Sequence, residues 1–108
     1  MRRWLWGALA RIRTKAQANQ VSFTRKAKLE MKALELGLDV TDAGEVLEHL
    51  TPADFARRIR SRTTDEWMYV FIPRVAGTLI YVKVILRSEC VVVSFHEEVR
   101  DLGEEDSP

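Results

Sequence analysis

The chain has 108 residues, 46% of them hydrophobic, a size and composition that suit one packed domain and are too small for two. Its only cysteine, Cys90, excludes a disulfide framework and a Cys-x-x-Cys motif, and points to a reducing compartment and a protein without bound metal. The formal charge of +1 conceals an asymmetry: residues 97–108 hold six acids and one arginine, which leaves the other 96 residues with 16 Lys and Arg against 10 Asp and Glu. A basic body of this kind is the electrostatic footprint of a polyanion binder, and it is also common on surfaces that bind nothing.

The opening "MRRWLWGALARIR" has the basic-then-apolar order of a secretory leader. Its apolar run at 4–10 is short, and arginines stand where a cleavage site needs small residues, so neither export nor a membrane span is expected. Over residues 3–17, Leu5, Leu9, Ile12 and Ala16 recur at helical spacing among arginines and lysines, which predicts a basic amphipathic helix whose stripe packs on the core. "VSFT" at 21–24 suits a short strand, and Thr24 suits the cap of a helix running to Gly37. A second helix is expected after Thr41. "TPADF" at 51–55, with threonine before proline and an acid three residues on, predicts a short third helix. From about residue 58 the pattern turns to Val, Ile, Tyr and Phe, with strands expected at 58–63, 67–74, 78–87 and 90–96.

These elements predict one α+β domain over residues 1–98: an antiparallel sheet of about four to six strands at 59–96 under two to three helices, and an acidic tail at 99–108, read either as solvated disorder or as a weak RNA mimic. If residues 88–89 and 76–77 are two-residue loops, Arg87 opposes Cys90, Lys83 opposes Ser94, Tyr81 opposes His96 and Val75 opposes Thr78. One face then collects Trp67, Tyr69, Phe71, Ile80, Val82, Val84, Leu86, Val91, Val93 and Phe95 and must lie under the helices. The other carries Met68, Val70, Ile72, Arg74, Tyr81, Lys83, Arg87, Cys90, Val92, Ser94 and His96. That second face is half polar, and holds either reactive groups or ordinary solvated charge. His49, in "LEHL", reads as a helix-surface residue.

The order "LGLD" at 36–39, "DF" at 54–55, "W" at 67, "PR" at 73–74, "YVK" at 81–83 and "VSF" at 93–95 resembles the motility quorum-sensing regulator (MqsR) family of bacterial toxins, over roughly residues 9–98. The resemblance implies a RelE-like (barnase-EndoU) α+β fold. It also implies the toxin half of a type II toxin–antitoxin system: a cytoplasmic, metal-independent mRNA endoribonuclease without a cofactor. Its partner would be an antitoxin that doubles as a helix-turn-helix DNA-binding repressor. The family's catalytic lysine after "DF" falls on Arg57, the glutamine after the tryptophan on Met68, the tyrosine of "Y-x-K" on Tyr81, and the lysine after "VSF" on His96.

Metal-free RNA cleavage by the substrate's own 2′-hydroxyl needs a group that moves a proton and a cation that stabilises the phosphate. Arg57 suits the second task, because a planar guanidinium pairs with two phosphate oxygens. His96 suits the first as acid or base, with Tyr81 orienting the phosphate or sharing the transfer. Arg58, Arg60, Arg62, Arg74 and Lys83 are the expected RNA-binding cations. Two rival readings remain: a degenerate, non-catalytic RNA-binding or regulatory member of the fold, favoured by Met68, and cleavage that depends on the ribosome.

Overall fold

The computed structural model describes residues 2–99; the acidic tail expected at 99–108 lies, from residue 100 on, outside the described residues. Helix α1 (Arg3–Gln17) is followed by β1 (Val21–Phe23), α2 (Arg25–Ala33) and α3 (Val40–Glu48). A 3-10 turn (Pro52–Asp54) then leads into β2 (Phe55–Arg60), β3 (Trp67–Phe71), β4 (Arg74–Val75), β5 (Thr78–Leu86) and β6 (Cys90–Glu97). The sheet runs β1-β6-β5-β3-β2, with β4 paired to β5. It is antiparallel except at β1, which lies parallel to β6. The fold is therefore α+β with a mixed sheet, and no described helix is long and apolar enough to cross a membrane.

The core lies where the expected stripe of α1 meets the sheet. Leu9 and Ile12 are fully buried against Leu47 and Leu50 of the α3 segment and against Phe71, Ile80, Val82, Val84 and Phe95. The Arg13 guanidinium closes the helix pair by donating to the Leu50 carbonyl through Nε, at 2.9 Å, and Nη2.

Local signals in the sequence explain most boundaries. Thr24 Oγ1 accepts from the Ala27 N–H at 3.1 Å and starts α2, but α2 stops at Ala33 rather than reaching Gly37, because Glu35 turns to a positive φ of 57°. Asp39, not Thr41, caps α3, through a reciprocal pair in which Asp39 and Asp42 each accept the other's backbone N–H. The expected third helix is only the 3-10 turn. Asp54 accepts from the Thr51 N–H at 2.8 Å, and then the chain extends, because Phe55 packs edge-on against Phe71 and Trp4. Strand β2 thus begins three residues earlier than the composition suggests.

The β4–β5 hairpin has the expected register: Ala76 and Gly77 both take positive φ, and Val75 opposes Thr78. The β5–β6 hairpin departs from expectation twice. None of Arg87, Ser88 and Glu89 takes a positive φ, so the loop has three residues and Leu86, not Arg87, opposes Cys90. Further along, a β-bulge at Val93 shifts the register by one residue, and Lys83 opposes Ser94 and Tyr81 opposes His96 as expected. Between loop and bulge the faces are therefore exchanged: Cys90 and Val92 are fully buried in the core, and Val91 shares the other face with Ile85.

The β5–β6 loop is tied to the β2–β3 loop by a bidentate pair in which Arg87 donates to Glu66 at 2.7 and 2.9 Å. The hydrogen bonds from Arg87 and then Thr64 hold the Glu66 carboxyl at about 2, below its usual 4.5. A folded-state value below the unfolded one stabilises fully above about pH 4.5, and the contribution fades as pH falls toward 2. Urea midpoints of the wild type and Glu66→Gln should accordingly differ at pH 7 and converge on acidification.

Candidate active site

The face turned away from the helices is ordered by the strand registers into three rows. Ile59, Met68, Ile85 and Val91 form an apolar row across β2, β3, β5 and β6. Next to it run Arg57, Val70, Lys83 and Ser94. The third row is the cross-strand pair Tyr81 and His96. Val70 and Ile85 are buried without joining the main core, so the long side chains of this face rest on an apolar floor.

Tyr81 and His96 stack with ring centroids 4.8 Å apart and 10° between their planes. On the diagonal, the Arg57 guanidinium lies 5.6 Å from the Tyr81 centroid. His96 Nδ1 faces the Glu97 carbonyl oxygen at 2.9 Å; a carbonyl only accepts, so Nδ1 donates here, and in the neutral ring Nε2 is then the nitrogen with the lone pair. A cation, a phenol and an imidazole with a free acceptor nitrogen thus line up on one open face.

Helix α2 contributes two side chains that the sequence pattern did not single out. Strand β1 covers the edge of β6 only as far as Val92, and beyond it α2 takes over. Glu30 Oε1 accepts from the Phe95 N–H at 3.0 Å, and Lys26 donates to Ser94 Oγ at 3.0 Å and to the Val93 carbonyl at 3.3 Å. The two side chains pair with each other at 2.9 Å. Burial raises the Glu30 carboxyl, but the Phe95 N–H and Lys26 outweigh it and hold the group below its usual value. Lys83 is pulled down from the usual lysine value, first by burial and then by the nearby cations Lys26 and Arg57. The cluster is therefore cationic around one buried hydroxyl. The available signal was the Lys–Glu pair four apart on α2, but nothing in the chain order shows that β1 lies beside β6.

Of the sequence-predicted site residues, Arg57, Tyr81, His96 and Lys83 meet on this face. Arg58 and Arg60 point the other way: Arg58 lies between Trp4 and Trp67, 3.9 and 3.8 Å from their centroids, and Arg60 lies 4.2 Å from Trp67. Arg62 is exposed in the β2–β3 loop. Arg74 opposes Leu79, two residues from Tyr81, and its guanidinium donates to the Gly77 carbonyl at 3.1 Å. His49, at the end of α3, faces the Glu45 carbonyl through Nδ1. Among the described residues no three His, Cys, Asp or Glu side chains are grouped so as to hold a metal ion.

Glu30 anchors the segment that carries His96. Glu30→Ala leaves the Phe95 N–H without its acceptor and should cost about 1–3 kcal/mol. Glu30→Gln retains an oxygen at that place and should cost less; urea unfolding of both variants measures the difference.

A family model described as "Motility quorum-sensing regulator, toxin of MqsA" matches residues 7–97. The chain is also 31% identical over 91 residues to the mRNA interferase toxin MqsR of Escherichia coli (strain K12), an alignment covering 83% of this chain and 91% of that protein.

Proposed function

This chain belongs to the motility quorum-sensing regulator toxin family, and we propose that it is the toxin of a type II toxin–antitoxin pair, an endoribonuclease that cleaves mRNA and so arrests translation and growth. The observation that carries the reading is the alignment of Arg57, Tyr81 and His96 on one open sheet face, at three positions where the resemblance places family catalytic residues. The site is a face rather than a pit, which suits an extended single strand.

The geometry divides the chemistry among these residues. His96 Nε2 takes the proton of the 2′-hydroxyl as its oxygen attacks the adjacent phosphorus. Arg57, with Lys83 and Lys26 nearby, stabilises the charge that builds on the phosphate oxygens. The Tyr81 hydroxyl orients the phosphate and shares the proton transfer to the departing 5′-oxygen. Ring stacking fixes the two aromatic groups relative to one another before substrate arrives. A 2′,3′-cyclic phosphate and a free 5′-hydroxyl result, with no metal required. Met68 stands in the neighbouring apolar row, so it replaces a glutamine's hydrogen-bonding amide by contact alone.

The antitoxin named in the family description is the model for this chain's partner. We infer a cognate antitoxin with a helix-turn-helix DNA-binding part, and action in the bacterial cytoplasm on free mRNA.

Loss of a positioned general base costs about 10²–10⁴-fold in rate. Purified His96→Ala should lose cleavage of free RNA by that order while keeping the wild-type melting temperature, and an unimpaired variant sinks the assignment. Tyr81→Phe isolates the hydroxyl, and unchanged turnover would reduce the tyrosine to a ring. Cleavage should persist in EDTA. Met68 favours a second reading, binding without catalysis; expression without antitoxin separates the two, because growth arrest with mRNA fragments marks a nuclease and arrest with intact mRNA does not. A requirement for ribosomes in the purified assay would mark ribosome-dependent cleavage instead.

A further inference from the structure

Strand β2 is the edge of the sheet, and its consecutive residues Arg57 and Arg58 project to opposite faces. Arg57 joins Tyr81 on the open face, while Arg58 enters a column of alternating rings and cations on the helix side. Arg60 covers one face of Trp67, and Arg58 fills the space between Trp67 and Trp4. Arg2 lies 5.8 Å from the Trp4 centroid. Arg60 is engaged by Asp65, through the carbonyl at 2.9 Å and the carboxylate at 3.7 Å. Among the described residues no carbonyl or carboxylate accepts from Arg58, so the edge of its guanidinium is unspent.

Two indoles fix the plane of that guanidinium, which removes the entropy an arginine ordinarily loses when it grips an anion. Trp67 already carries two guanidinium groups, so its ring serves the arginines rather than a base. It presents donor edges, which suit phosphate oxygens. We propose that the Arg58–Trp67–Arg60 column is a second docking surface for the phosphate backbone of the same RNA, engaged where a strand leaving the open face folds around the β2 edge. The inference rests on the reading of the open face as an RNA site. Commitment to RNA comes from charge and continuity: the column begins one residue from Arg57, and the two acids beside it are held by arginines, Asp65 by Arg60 and Glu66 by Arg87.

The test is fluorescence anisotropy with 2′-O-methyl oligoribonucleotides, which lack the nucleophile and stay intact, of about 5 and about 20 nucleotides. Arg58→Gln should weaken the longer strand about 5–10-fold, flatten its salt dependence by about one phosphate contact, and change the shorter strand less than about twofold. Arg60→Gln, at the exposed end of the column, should act in the same direction and serves if Arg58→Gln melts early. Equal losses at both lengths, or unchanged affinity in both variants, overturn the proposal. So does a loss of Arg58→Gln affinity for poly-glutamate with none for RNA, which would reassign the column to an acidic protein. A chain that cleaves RNA but binds it without length dependence sinks the column alone. One that binds the long strand through Arg58 without cleaving sinks the enzyme alone.

Discussion

Everything on the open face depends on keeping side-chain alternation in phase along β5 and β6. A strand has a period of two, so one residue too many anywhere sends every later side chain to the wrong face. The hairpin carries that extra residue in its loop at 87–89 and cancels it with the bulge at Val93. Beyond the bulge, Phe95 falls into the core while Ser94 and His96 fall on the open side. If either irregularity stood alone, Cys90, Val92 and Phe95 could not all face the core together. The position of His96 is thus set by hydrophobic burial upstream of it.

This compensation also marks what was legible in the sequence. The apolar stripe of α1, the Thr24 cap, the Ala76–Gly77 turn and the Tyr81–His96 pairing follow from local chemistry, and the structure shows each of them. Assignment of Val91 and Val93 to the core, and of Cys90 and Val92 to the other face, was wrong because a run of valines has no alternation to reveal a bulge. The short third helix failed for a different reason. Proline and a capping acid start a helical turn, but only tertiary contact decides whether it continues, and Phe55 is captured by Phe71 and Trp4.

Site residues divide along the same line. Tyr81 and His96 come from strands whose mutual register can be argued, whereas Arg57 lies before the strand expected at 58–63 and is singled out only by what the resemblance implies. Lys26 and Glu30 reach the site from α2 because β1 lies parallel to β6, a pairing between distant segments that composition does not announce. Arg58 and Arg60 look like part of one basic patch in "ARRIR", yet alternation along β2 separates them from Arg57 by the thickness of the sheet. Tryptophans at two places in the chain then take up the arginines that the open face does not receive.

The grip of α2 on β6 has a consequence for the molecule among its neighbours. An uncovered strand edge is a template on which another chain can add, and β6 would offer one past Val92. Lys26 and Glu30 occupy the Val93 carbonyl and the Phe95 N–H that such a strand needs. At the opposite edge, β2 is kinked by a bulge at Ala56 and carries three arginines within four residues, which repel a second copy of themselves. The open face therefore sits on a sheet whose two borders both discourage growth into fibres.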